Sequence, residues 1–174
     1  MIGVPSFPAG AAVCLAARRQ LMYRIRPAHL SDLAALTTIE TAAFDPALYA
    51  GSMMSRQSFA AHIRAGRNPV FVSTEDGEAA IGYALGFVRQ RSRYVRFYSL
   101  AVLPEHFGRG AGRLLFGAIE DFARRLDYRG VRLEIRADNK RLLDRYLGLG
   151  YRVFDEAAGY YADGCAAIRM TRDL

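Results

Sequence analysis

Cysteine is nearly missing from this chain. Cys14 and Cys165 are the two it has, at opposite ends and without metal-ligand spacing, which argues against a disulfide framework and for a reducing, cytoplasmic setting. Long apolar runs are missing too. No stretch approaches the roughly 18 unbroken apolar residues that a spanning helix needs, so the expectation is a soluble chain with no membrane partner. Histidine is scarce: His29, His62 and His106 fall in separate predicted elements, show neither H-x-x-x-H nor triad spacing, and read as surface or capping residues. No metal site is expected.

Acidic residues are outnumbered, 17 against 24 basic ones, and the formal charge is +7. Nearly all the positive residues are arginine, and a basic surface of this kind can meet nucleic acid, an anionic cofactor or an acidic partner. The arginines are scattered, apart from modest groups at residues 89–96 and 124–129, and no aromatic-and-basic RNA-binding signature accompanies them. A nucleic-acid partner is therefore not expected.

What the chain does have is enough apolar residue for one core: 52% of 174 residues fits a single domain. Residues 1–21 differ from the rest, being small, apolar and broken by Pro5, Pro8 and Gly10. A signal peptide would carry positive charge before its apolar part, whereas Arg18 and Arg19 follow it. This stretch reads as a poorly ordered extension, with a domain at 22–174.

From Tyr23 the pattern is a short strand and then a helix through Leu33, Leu36, Ile39 and Ala43, capped by Ser31 or Asp32. Residues 44–55, with Pro46 and Gly51, read as a loop that either shapes a substrate mouth or merely connects. A second helix follows near residues 58–64. Three strands in series, at 69–74, 80–89 and 93–103, form an antiparallel meander.

The last of these strands stops at Pro104 and runs into a turn carrying Gly108, Gly110 and Gly112, which opens directly into a helix. Glycine lets backbone approach a ligand closely, and the first amides of a helix are unpaired and sit at the positive end of its dipole. Such a turn is either an anion cradle or a tight connection without a ligand. Leu114, Leu115, Ala118, Ile119, Phe122, Ala123 and Leu126 then recur at helical spacing. An alternating strand at residues 131–135 follows, completing a parallel strand-helix-strand unit. Asp138 or Asn139 caps another helix, and strands near 151–154 and 166–171 close the sheet.

Leu100-Ala101-Val102 with Pro104, then Gly108-Arg109-Gly110-Ala111-Gly112-Arg113, then Leu133-Glu134-Ile135-Arg136-Ala137-Asp138-Asn139, then Arg145-Tyr146-Leu147-Gly148, in this order and spacing, resemble the GNAT superfamily of N-acetyltransferases. Together with Gly159-Tyr160-Tyr161-Ala162-Asp163-Gly164, they are most similar to its ribosomal-protein-alanine (protein N-terminal) acetyltransferase group. The resemblance covers about residues 22–174.

It implies the α/β GNAT fold: a mixed sheet of about six or seven strands, an antiparallel N-terminal meander, a parallel strand pair flanking the CoA site, and helices on both faces. It implies acetyl-CoA as co-substrate, with the amides of Gly108, Arg109, Gly110, Ala111, Gly112 and Arg113 on its pyrophosphate. The strand at Leu100, Ala101 and Val102 would lie along the pantetheine, and Asn139 would contact the cofactor. A backbone amide of that strand would polarise the thioester carbonyl.

Glu134 matches the group's general base, acting directly or through water, and Tyr146 its general acid. Read on their own residues, Glu134 is also a strand-face carboxylate paired with Arg132 or Arg136, and Tyr146 a packed helix aromatic. The acceptor implied is a primary amine, a protein N-terminus or a small molecule; the alternative is a non-catalytic acyl-CoA-binding module. A homodimer through sheet edges is a further expected state. The chain departs from the group at Phe107, where Gln or Arg is usual, at Cys165-Ala166-Ala167, and in its longer segment 44–55.

Overall fold

The structure is a computed structural model in which residues 23–49, 53–76 and 79–174 are described. The N-terminal extension expected at 1–21, with Cys14, lies outside them. Seven strands form one sheet in the order β1-β2-β3-β4-β5-β7-β6. They are β1 (Tyr23–Pro27), β2 (Val70–Glu75), β3 (Ala80–Phe87), β4 (Tyr94–Val102), β5 (Gly130–Arg136), β6 (Arg152–Ala157) and β7 (Ala167–Asp173). Every neighbouring pair is antiparallel except β4 and β5. The expected meander, parallel pair and strand number are all present.

Helices cover both faces. On one, α1 (Leu33–Ala43) and α3 (Arg56–Ala65) bury Leu36, Ile39 and Phe59 against Val72, Tyr83 and Leu85. On the other, α4 (Ala111–Arg125) buries Leu115, Phe116, Ile119 and Ala123 against Val95, Phe97, Val131 and Leu133. Removing that apolar surface from water is the main favourable term, about 25 cal/mol per Å². The segment after α1, read as a plain loop, contains a short helix α2 (Pro46–Tyr49), where Asp45 Oδ1 accepts from the Ala47 amide at 2.8 Å.

Local chemistry sets the element ends. The Asp32 carboxylate before α1 accepts from the His29 amide and pairs with Arg26 of β1. Ser55 Oγ accepts from the Ser58 amide at 3.1 Å and starts α3. Of the two caps proposed for α5 (Lys140–Gly148), Asn139 serves: its Oδ1 accepts from the Leu142 amide at 3.0 Å.

One irregularity places everything that follows. Between the pairs Leu85↔Ser99 and Gly86↔Phe97, β4 carries one extra residue, Tyr98, a bulge of the kind that bends a strand and interrupts its ladder. The parallel pairing of β4 with β5 ends at Phe97↔Leu133. Beyond that point β5 stays with β7 through Arg136↔Ala167, while β4 stays with β3 through Gly82↔Val102. The two strands separate into a cleft.

Candidate active site

The cleft encloses about 200 Å³ and is lined by both strand ends, by α1 and α2, by α5, and by Tyr160 and Tyr161. Along one wall the outer edge of β4 over residues 98–102 has no strand beside it among the described residues, so its backbone groups are open to a ligand. Leu100 lines this wall, and Ala101 and Val102 bury their side chains.

At the end of that edge lies the glycine turn. Gly108 has φ 74° and Gly110 φ 102°, left-handed values that cost a side chain about 1–2 kcal/mol. Arg113 and Leu114 donate their amides to the Gly110 carbonyl, and Arg109 donates to His106. The amides of Gly108, Gly110, Ala111 and Gly112 make no backbone hydrogen bond among the described residues. They stand at the N-terminus of the 15-residue α4, an arrangement suited to an anion. The Arg145 guanidinium approaches within 3.9 Å of where a Cβ on Gly112 would sit. The Arg109 and Arg113 side chains are exposed, and Phe107 is 62% exposed. Asn139 lines the cleft, although its Oδ1 is committed to capping α5.

Glu134 and Tyr146 line the same cleft. Glu134 pairs with neither Arg132 nor Arg136. Arg132 lies over the rings of Tyr94 and Phe154, and the buried Arg136 holds Asp138 and Asp163 at 2.8 and 2.7 Å. The partner of Glu134 is instead Arg96 of β4, Nε to Oε2 at 2.8 Å, and the same guanidinium donates to the Tyr160 hydroxyl at 2.7 Å. Tyr146 is buried and packs its ring against Phe116 and Tyr151. Burial pushes its phenol up to about 12, so it is protonated at neutral pH.

Arg136 fastens the segment after β6 to the end of β5. Its guanidinium stacks on Tyr161 at 4.9 Å, and Tyr161 meets Tyr49 of α2 edge to face at 6.3 Å. Through this contact α2, within the segment 44–55, and the segment after β6 meet over the cleft.

Sequence reasoning missed Arg96, Arg145, Ser99, Tyr83 and Glu40. One of them left a readable signal. Glu40 falls on the apolar stripe of α1 with Leu33, Leu36 and Ile39, and all four are buried. A carboxylate on a core-facing stripe requires partners. Arg96 and Ser99 could be found only once the sheet register was known.

A mixed sheet that splits at a bulge, its unpaired strand edge running into a glycine turn at the start of a helix, defines the class of α/β fold. The chain belongs to the acetyltransferase (GNAT) family, whose family model matches residues 33–151. It resembles the ribosomal-protein-S18-alanine N-acetyltransferase of Escherichia coli, at 26% identity over 88% of this chain and 94% of that one, with a TM-score of 0.74. It is similar to yncA from Salmonella typhimurium, solved with its cofactor acetyl-CoA, at 26% identity, 87% and 94% coverage and a TM-score of 0.73. The uncharacterized protein ML0378 of Mycobacterium leprae (strain TN) is 32% identical over 108 residues, 59% of this chain and 29% of that protein. The chain thus spans less than a third of that curated relative.

Among the described residues no helix is long and apolar enough to cross a membrane. No group of His, Cys, Asp and Glu there is gathered as a metal site.

Proposed function

We propose that this protein transfers acetyl from acetyl-CoA to a primary amine, and that the acceptor is a protein or peptide N-terminus. The observation that carries the reading is the unpaired β4 edge ending at the unpaired amides of Gly108, Gly110, Ala111 and Gly112. An extended pantetheine-like arm fits the first, and a pyrophosphate fits the second. Leu100, Ala101 and Val102 would flank the arm. Arg109, Arg113 and Arg145 would add positive charge at the turn, and Asn139 would border the cofactor.

Bound acetyl-CoA supplies an activated acetyl thioester; the residues of the cleft supply orientation and proton transfer. An amide of the β4 edge donates to the thioester carbonyl, where negative charge grows as the amine attacks. Glu134, with Oε2 taken by Arg96, turns Oε1 to the attacking nitrogen and takes a proton from it, directly or through water. Tyr146, protonated at working pH, donates to the departing sulfur. Tyr49, Tyr160 and Tyr161 wall the acceptor side, and the activity named for the Escherichia coli relative supports a protein α-amine there.

A second reading, a non-catalytic acyl-CoA-binding module, draws on exposed Phe107 at the mouth of the turn. Calorimetry with acetyl-CoA and thiol release with amines and N-terminal peptides decide between them. Binding with thiol release supports transfer, binding alone supports the module, and no binding overturns both.

A further inference from the structure

Acylating an ammonium removes two protons from one nitrogen: the first makes it a nucleophile, and the second leaves after the new C–N bond forms. Glu134 accounts for one. The cleft is bordered by a second carboxylate, Glu40, to which acetyl transfer as described above gives no task.

Glu40 is 3% exposed, and no cation among the described residues pairs with it. Two donors hold it instead. The Met54 amide reaches Oε1 at 2.6 Å, and the Tyr83 hydroxyl reaches Oε2. Tyr83 is fully buried on β3, and its oxygen also meets Ser99 Oγ at 2.8 Å. A phenol has one proton. Because Tyr83 gives it to Glu40, Ser99 must donate to Tyr83, and the remaining lone pairs of Ser99 are left for the cleft that it lines.

This polarity reverses cleanly. With Oε1 fixed as an acceptor by Met54, a proton taken up by Glu40 resides on Oε2 and is donated to Tyr83. Tyr83 then donates to Ser99, and Ser99 donates into the cleft. Burial raises the Glu40 carboxyl above its ordinary value, and its hydrogen bonds offset this in part. The other titratable group facing it from β3 is Tyr83, and from β4 it is Tyr98. Arg96 on β4 is held by Glu134 and Tyr160. From α3, Phe59 packs on Tyr83, while His62 bonds Asn68.

We propose that Ser99, Tyr83 and Glu40 form a proton wire that takes the first proton from the acceptor's ammonium. The proposal rests on the acetyl-transfer reading. In the step, an N–H bond of R–NH3+ breaks and its proton goes to Ser99 Oγ. The Ser99 proton passes to Tyr83 Oη, and the Tyr83 proton passes to Glu40 Oε2. R–NH3+ and a carboxylate become R–NH2 and a carboxylic acid, with no change in total charge. Ser99 is then the catalytic residue, in contact with the amine, and Tyr83 and Glu40 are positioning residues that act through it.

The test is the pH dependence of kcat/KM for Glu40→Gln and Ser99→Ala, using an Ala-initiated hexapeptide and butylamine as probes. Glu40→Gln is expected to lose about 10²-fold near neutral pH. Its rate should then climb about tenfold per pH unit toward the amine's own pKa, where the wild type holds a plateau. Ser99→Ala should follow the same profile, and Ser99→Thr, which keeps the hydroxyl, should retain the wild-type plateau. A Glu40→Gln profile superimposable on wild type overturns the wire. If that variant fails to bind acetyl-CoA, Ser99→Ala at the cleft surface decides by the same criterion.

If the wild type releases no CoA with either probe, the transfer reading fails, and carbon-13 NMR of the Glu40 carboxyl decides the wire. A titration above 4.5, the unperturbed value, that moves on Ser99→Ala supports it. A carboxyl in one state from about pH 4 to about pH 10 overturns it.

Discussion

Arg96 and Glu134 face each other across the last point at which β4 and β5 are joined. Their ion pair, Nε to Oε2 at 2.8 Å, spans the two strands beside the Phe97↔Leu133 pair. The pair is part-buried, so solvent screens it less than a surface bridge. It holds a cleft carboxylate by one oxygen, and the other is the one assigned above to the proposed acceptor.

Replacing Glu134 by Gln should lower kcat by about 10²-fold and leave acetyl-CoA affinity unchanged. Arg96→Met should instead act through orientation, freeing both Glu134 and Tyr160, and lower kcat/KM for the acceptor by about tenfold. Steady-state kinetics with calorimetry of cofactor binding separates the two. An Arg96→Met enzyme with wild-type kcat/KM would remove the ion pair from the mechanism.

Tyr146→Phe keeps the ring contacts with Phe116 and Tyr151 and deletes only the hydroxyl. Turnover should fall by about 10²-fold at neutral pH with no change in cofactor Kd. Because burial pushes the phenol up to about 12, the wild type should show no loss of this acid below about pH 10. An unchanged rate in the variant would take Tyr146 out of the acid role.

At Gly110, φ is 102° and nothing lies within 4 Å of where a Cβ would sit. Gly110→Ala therefore suffers backbone strain rather than collision. The expected cost is about 1–2 kcal/mol of stability, seen in thermal unfolding. Acetyl-CoA should bind about tenfold more weakly as the amides rotate out of line. Unchanged affinity would mean that the turn holds no phosphate.

Asp138 and Asp163 are held below the ordinary carboxylate value of 3.8, first by hydrogen bonds from Arg136. Groups with depressed folded pKa values stabilise the fold above the unfolded value, and that contribution is lost as pH falls through the lower folded values. Residues 159–166 should therefore loosen from β5 below about pH 4, detectable by amide exchange. Asp163→Asn should produce the same loosening at neutral pH and raise the acceptor KM, with cofactor affinity unchanged. Amide exchange insensitive to both changes would show that Arg136 does not anchor this segment.

Much of this was legible in the residues themselves. The alternation in residues 131–135, the helical stripe from Leu114 to Leu126, and the three glycines after Pro104 are short-range patterns. Backbone preference and apolar periodicity write such patterns directly into neighbouring positions, so the strand-turn-helix-strand unit could be read from them. The cap on α5 was legible to within one residue, and geometry chose Asn139 over Asp138.

Other features depended on which distant segments became neighbours. Arg96 answers Glu134 only because β4 and β5 run parallel and in register, and the nearer candidates, Arg132 and Arg136, are drawn off by aromatic rings and by two aspartates. Glu40, Tyr83 and Ser99 come from a helix and two strands, brought together when α1 packs on the sheet. By itself the sequence determined the strands and the longer helices, the glycine turn and the two candidate groups Glu134 and Tyr146, but not the short α2. The bulge at Tyr98, the opening between β4 and β5, and the partners of Glu40 and Glu134 were decided by tertiary structure. A buried carboxylate takes whichever donors the packed elements bring within about 3 Å, and that depends on register and packing rather than on adjacency in the chain.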